Sequence, residues 1–199
     1  MQPEAAMNTA QPPFSIAVCG IEELEGHRET AATHVLSILD PDYPVPEAFG
    51  AYGEHVRLEL RFHDIIDLTP GMIPPSPEHA EAILGFGRSL AAEPNANLIV
   101  HCHAGISRST ASMALILAQA MPDATAAGVL AIVHGMREKA WPNLRLIELG
   151  DAMLGREGRL IAAAHALYRV QIERRPHIAA YMDELGRSRE TRAATSFGL

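Results

Sequence analysis

The sequence predicts an α/β domain: a small, mostly parallel central sheet of four to five strands flanked by helices, with extra helices at the C-terminal end. Three observations lead there. Short apolar runs alternate with helical patterns in the first half of the chain; helical patterns alone fill the second half; and one strand–loop–helix unit, from Leu98 to Met121, joins the two regimes. Open parallel sheets bind ligands at the carboxyl ends of their strands, which is where the loop of that unit falls.

Taken in order, residues 1–13 are polar, include Pro12-Pro13 and read as a flexible tail. Residues 14–19 form a strand stopped by Gly20, and residues 21–30 hold a short helix weakened by Gly26. Residues 34–39 are a second strand ended by Asp40-Pro41, and the proline-rich loop after it is long enough to border a site. Residues 55–62 alternate as a third strand, with Val56, Leu58, Leu60 and Phe62 on one face. A loop with four prolines follows, and Ser76-Pro77-Glu78 opens a helix running to about Ala92, with Ala80, Ile83, Leu84 and Leu90 inward. Beyond Met121, Asp123 caps a helix through Lys139, and Pro142-Asn143 opens another to about Leu154. Two more helices are expected over 157–175 and 177–185. The charged stretch 187–199 reads as a second flexible tail, leaving 14–186 as a single domain.

Composition narrows the function. The 199 residues suit one domain with an ample core, and no apolar run approaches the roughly 20 residues a membrane span needs. The N-terminus lacks the basic start and apolar stretch of a secretory signal. Two cysteines make no disulfide framework, so a reducing cytoplasm is the expected compartment. The net charge of −8 argues against nucleic-acid binding. That charge is uneven: residues 1–100 hold four basic and fifteen acidic residues, and residues 101–199 hold twelve and nine. The positive half begins at the strand–loop–helix unit, which is consistent with an anionic substrate; arginines solvated on the C-terminal helices are the other reading.

That unit reads His101-Cys102-His103-Ala104-Gly105-Ile106-Ser107-Arg108-Ser109 between an apolar strand and an Ala-rich helix. Backbone N–H groups of the loop and the positive end of the helix dipole make a cradle for an anion. The planar fork of Arg108 suits two oxygens of a phosphate. Cys102 lies where positive potential favours the thiolate, the form that attacks. A metal site built on His101, Cys102 and His103 fits poorly. Successive residues of an extended strand face opposite ways, and no second Cys/His pair stands at ligand spacing. Neither a metal nor an organic cofactor is expected.

The whole run resembles the signature of the cysteine-dependent protein tyrosine phosphatase superfamily, especially its small dual-specificity members. The resemblance covers residues from about 14 to 155 and is most specific at 101–109. It implies a phosphatase fold and hydrolysis of phosphotyrosine, with phosphoserine or phosphothreonine open to a shallow pocket, through a phosphocysteine on Cys102. It further implies that His103, Ala104, Gly105, Ile106, Ser107 and Arg108 hold the phosphate and that Ser109 donates to the departing thiolate. His101 would order the loop by hydrogen bonds, although either histidine also reads as a packed core residue. An aspartate on a separate loop would protonate the leaving group. Asp64, directly after the third strand in Arg61-Phe62-His63-Asp64, fits the pattern, and Asp67 is the alternative. Asn143 resembles an asparagine that braces the phosphate loop and is equally a plain helix cap. Cys19 reads as a core residue, with a redox partnership to Cys102 as its other reading. Two rival functions stay open: a phosphate-binding adaptor without turnover, and a phosphoinositide phosphatase. The second is disfavoured because the loop carries no lysine. The expected partner is a phosphorylated protein or peptide.

Overall fold

The computed structural model describes residues 11–195, so most of the N-terminal stretch read as a tail lies outside the described residues. Four strands, β1 (Ser15–Cys19), β2 (His34–Leu39), β3 (Val56–Arg61) and β4 (Asn97–His101), form one sheet in the order β1-β4-β2-β3. All three pairings are parallel, with Ser37 of β2 opposite His101 of β4 and Cys19 of β1 opposite the same histidine. The helices are α1 (Pro77–Ala91), α2 (Arg108–Ala120), α3 (Ala126–Met136), α4 (Leu144–Met153), α5 (Arg159–Arg174), α6 (His177–Glu184) and α7 (Ser188–Thr195).

Strand position explains strand composition. Both neighbours of β2 and β4 are strands, and both faces of those two are covered; all six residues of β2 are buried, matching the unbroken run HVLSIL. Edge strand β3 is wetter, and its first inward candidate, Val56, stays 53% exposed. The two faces are covered differently. Leu36, Ile38, Leu98 and Val100 enter the main core with α1, α2 and the later helices. Val35, Ile99 and Cys19 face a smaller cluster with Leu24 and Phe49, supplied by 3-10 turns over Ile21–His27 and Glu47–Ala51. The helix expected over 21–30 is thus a 3-10 turn.

Start signals mostly act as expected. Ser76 caps α1 by accepting from the His79 N–H, and Asn143 caps α4 by accepting from Leu146 N–H at 3.1 Å. Asp123 does not cap α3. It is taken up in the turn that Ala124 N–H closes on Met121 O, and Thr125 accepts from Gly128 N–H at 3.0 Å instead.

The C-terminal stretch departs from expectation. Residues 188–195 are helical, with Arg187 only 3% and Glu190 0% exposed, so the flexible tail expected from residue 187 is wrong for its described part. The cause is polar rather than apolar. Glu190 accepts from Trp141 Nε1 (2.7 Å), Leu144 N–H (3.0 Å), Arg187 Nε (2.8 Å) and Arg187 Nη2 (2.7 Å). Thr191 Oγ1 donates to Asp183 and Arg169 Nε donates to Ala194 O. Beneath this clamp Trp141 stacks on Tyr168 with centroids 4.5 Å apart, and the tyrosine hydroxyl donates to Pro142 O. Removing the Glu190 carboxylate leaves Nε and Nη2 of the Arg187 guanidinium, an indole N–H and a backbone N–H buried without that acceptor. Glu190→Ala is therefore expected to cost about 3–5 kcal/mol, read as a lowered urea midpoint.

Candidate active site

The loop from Cys102 to Ser107 leaves the carboxyl end of β4 and enters α2. Its peptide carbonyls from His103 to Ser107 all have partners. His103 O accepts from Ile21 N–H (2.9 Å), Ala104 O from Arg137 Nη2 (2.8 Å) and Gly105 O from Arg137 Nε (3.1 Å). Ile106 O accepts from Trp141 N–H (2.9 Å), and Ser107 O from Ala111 N–H (3.0 Å) and Asn143 N–H (3.3 Å). No peptide among the described residues is cis. In a planar trans peptide the N–H points opposite to the C=O before it, so the amides of Ala104, Gly105, Ile106, Ser107 and Arg108 face the other way. None of them donates a hydrogen bond among the described residues. Together with the first turn of α2 they form a nest of unpaired donors, the backbone arrangement that receives an oxyanion.

Gly105 permits this path. Its φ is +68°, and a Cβ there would lie 2.4 Å from Cys19 C and 2.6 Å from Gly20 N. Both are backbone atoms that cannot step aside. Arg137, whose Nη1 also meets Glu23 at 2.8 Å, clamps the outer face of the same turn.

Cys102, Arg108 and Asp64 face this nest or its rim. Cys102 is 3% exposed, with Sγ 3.1 Å from Ser109 Oγ. Arg108 is also 3% exposed, and Nη1 carries its hydrogen bonds, donating to Asp40 Oδ1 at 2.6 Å and Phe62 O at 2.5 Å. Arg108 Nε is buried with no partner among the described residues. A buried orphan donor is costly unless a ligand oxygen completes it, and the Nε–Nη2 edge is one that binds phosphate in a bidentate fork. Asp64 accepts from Ser107 Oγ (2.7 Å) and Asn143 Nδ2 (2.8 Å), with Arg187 Nη1 3.3 Å from its other oxygen. Burial pushes this carboxyl up, but Arg187, Arg108 and the two hydrogen bonds outweigh it and hold Asp64 below the ordinary aspartate range. Asp67 stands apart, paired with Arg189 at 2.9 Å and exposed.

The histidines divide. His101 is fully buried and donates to or accepts from Ser37 Oγ at 2.8 Å, a link to β2 rather than to the loop. Burial pushes it down to about 4, against an opposing pull from the Cys102 backbone, so it is neutral at pH 7. His103 lies at the rim, its Nε2 accepting from Asp40 N–H at 3.2 Å and its ring packed on Tyr43 at 4.4 Å. Cys19 is a core residue: burial above all pushes its thiol up to about 12, and it packs with Leu24, Val35, Phe49 and Ile99.

Asn143 does more than either sequence reading implied. Its backbone N–H bonds Ser107 O, its Oδ1 caps α4, and its Nδ2 reaches Asp64 and Ile65 O. Three residues escaped the sequence reading altogether. Asp40 holds the guanidinium from the end of the neighbouring strand, a place the parallel topology makes a natural source of site residues. Arg137 and Arg187 carry no local signal.

Solved structures share this architecture. The crystal structure of human DUSP28 aligns with a TM-score of 0.53 at 16% identity, covering 71% of this chain and 94% of that one. The PTP-2 phosphatase of Cydia pomonella gives 0.55 at 18% identity, covering 73% and 87%. DUSP15 gives 0.51 at 20%, covering 83% and 95%. The chain has the fold of the dual-specificity phosphatases. No protein-family profile and no curated protein sequence matches it.

A buried neutral histidine beside the cysteine has a consequence for stability. The unfolded chain protonates His101 near pH 6.5 and the folded chain only near 4, so its contribution is complete above 6.5 and is lost as pH falls toward 4. Between pH 7 and pH 5 the unfolding free energy should drop by about 2 kcal/mol more in the wild-type chain than in His101→Gln, measured by urea titration.

Proposed function

We propose that this chain is a phosphoprotein phosphatase that hydrolyses phosphotyrosine, and phosphoserine or phosphothreonine more slowly, through a phosphocysteine. One observation carries the reading: the amides of Ala104 to Arg108 are turned together around Cys102 because every carbonyl paired with them is tied outward. Such a cradle neutralises a phosphate dianion that would otherwise repel a thiolate. The phosphatases whose fold it shares support the same reading. The exposed ring of Tyr43 beside His103 offers a face for an aryl group at the rim. A reducing cytoplasm, where Cys102 stays a thiol, suits the chemistry.

In the first step Cys102 Sγ attacks phosphorus, the S–P bond forms and the P–O bond to the leaving group breaks. Asp64 gives its proton to the leaving oxygen. The Nε–Nη2 edge of Arg108 holds two equatorial oxygens while Nη1 stays on Asp40 and Phe62 O. In the second step Asp64, now a carboxylate, takes a proton from water as it attacks phosphorus, releasing inorganic phosphate and the thiolate. Ser109 Oγ, 3.1 Å from the sulfur, donates to that thiolate.

The test is turnover of p-nitrophenyl phosphate and of a phosphotyrosine peptide. Cys102→Ser should abolish both, whereas an adaptor or an inositol-lipid enzyme would show no peptide turnover in the parent chain. Asp64→Asn should slow the peptide more than the nitrophenyl ester, whose leaving group needs a proton less; the same pattern from Asp67→Asn would reverse the assignment of the acid.

A pH profile follows from the depressed Asp64 carboxyl. The donor form exists only below its pKa, so activity falls on the basic side. A bound phosphate dianion brings negative charge beside Asp64 and draws on Arg108, both of which raise that pKa. The basic limb of kcat should therefore lie at higher pH than that of kcat/KM.

A further inference from the structure

We propose that the C-terminal segment is a working part of this active site, with Arg187 as a positioning residue that seats Asp64 against the phosphate loop. The proposal rests on the phosphatase reading above and adds to it a residue outside the strand–loop–helix unit.

The geometry is a chain of contacts that runs from buried Arg187 and Ser107 to the partly buried Asp64. Arg187 Nη1 donates to Ser107 Oγ at 2.9 Å and stands 3.3 Å from Asp64 Oδ2. Ser107 Oγ in turn donates to Asp64 Oδ1. One guanidinium nitrogen thus meets both the phosphate loop and the carboxylate. The rest of the guanidinium is fixed by Glu190, which accepts from Nε and Nη2 and is itself locked to Trp141 and Leu144 at the entry to α4. Arg187 is 3% exposed, so it is part of the built site and not a solvated side chain.

Two residues on, Arg189 repeats the grip at the surface. Its Nε meets Asp67 at 2.9 Å, its Nη2 meets Ile66 O at 3.2 Å, and Glu148 of α4 holds its far side. Residues 64–67, the start of the acid loop, are therefore held from one side by two arginines of the C-terminal segment.

Arg187 also sets the charge around Asp64. The groups that act on the carboxyl are Arg187, Arg108 from α2, the Ser107 hydroxyl and the Asn143 amide. His103 and Tyr168 lie near enough to feel its charge, and Glu190 faces Arg187 from behind. Without Arg187 burial still raises the Asp64 carboxyl while one of its two cationic neighbours is gone. The proton then stays on to higher pH.

The experiment is the pH dependence of phosphotyrosine-peptide turnover, whose leaving group needs the proton, in the full chain and in two variants. Arg187→Gln combined with Glu190→Gln removes both buried charges together, and Arg187→Lys keeps the charge without the fork. The basic limb is expected to move up by about one pH unit in the double variant, a roughly tenfold larger protonated fraction above the parent limb, and by less in Arg187→Lys. A purely structural loss lowers the rate at every pH and leaves the limb where it was; an unmoved limb in both variants overturns the proposal. Arg187→Lys alone decides should the double variant not fold. Carbon-13 NMR titration of the Asp64 carboxyl reads the same coupling without turnover. An inactive parent chain whose Asp64 still titrates higher in the variants would sink the phosphatase reading and leave the Arg187–Asp64 link standing; an unchanged carboxyl would sink the link.

Discussion

A peptide group cannot turn its N–H inward without turning the preceding carbonyl outward, and the site depends on this constraint. An anion cradle made of backbone amides needs an outer layer of donors to satisfy the carbonyls on its back. Here that layer is drawn from widely separated parts of the chain: Ile21 after β1, Arg137 after α3, and the backbone of Trp141 and Asn143 before α4. The cradle is shaped from outside. Its donors are held apart from one another by partners that never meet the ligand, which is how a site can be arranged in advance of binding rather than by it.

The same logic governs the charged groups. A buried arginine is tolerable because each part of its guanidinium has a use. Asp40 and the Phe62 carbonyl occupy Nη1 of Arg108 and aim the plane, leaving Nε as an unpaired buried donor at the anion site. Asp64 accepts from the loop hydroxyl and from Asn143, so the acid and the cradle share one network. Neutral His101 beneath the cysteine, tied sideways to Ser37, adds no positive charge to this crowd and joins β4 to β2.

Much of the scaffold is legible along the chain because its signals are local. The runs at β2 and β4 are apolar throughout since those strands are covered on both faces, and Ser76, Pro77 and Asn143 mark helix starts by chemistry that operates within one turn. The motif itself is local, from His101 to Ser109. What local reading misses is held by distant polar contacts. Asp40 looks like a strand terminator until β2 is seen beside β4. Thr125 rather than Asp123 caps α3 because a turn intervenes. The stretch from Arg187 has the charge and low hydropathy of a free end, yet one buried carboxylate with four donors fastens it. Pairing between residues dozens of positions apart leaves no periodicity to find.

The contact from Ser107 to Arg187 spans 80 positions. A ribosome-bound chain that has already exposed the sheet, the cysteine motif and α2 still lacks the cation that joins loop to acid, because Arg187 is translated 80 residues after Ser107. The finished pocket therefore appears only once Arg187 has left the ribosome. Removal of the segment from Arg187 onward would take away that cation and, with Glu190, the buried acceptor of Trp141 Nε1 and Leu144 N–H.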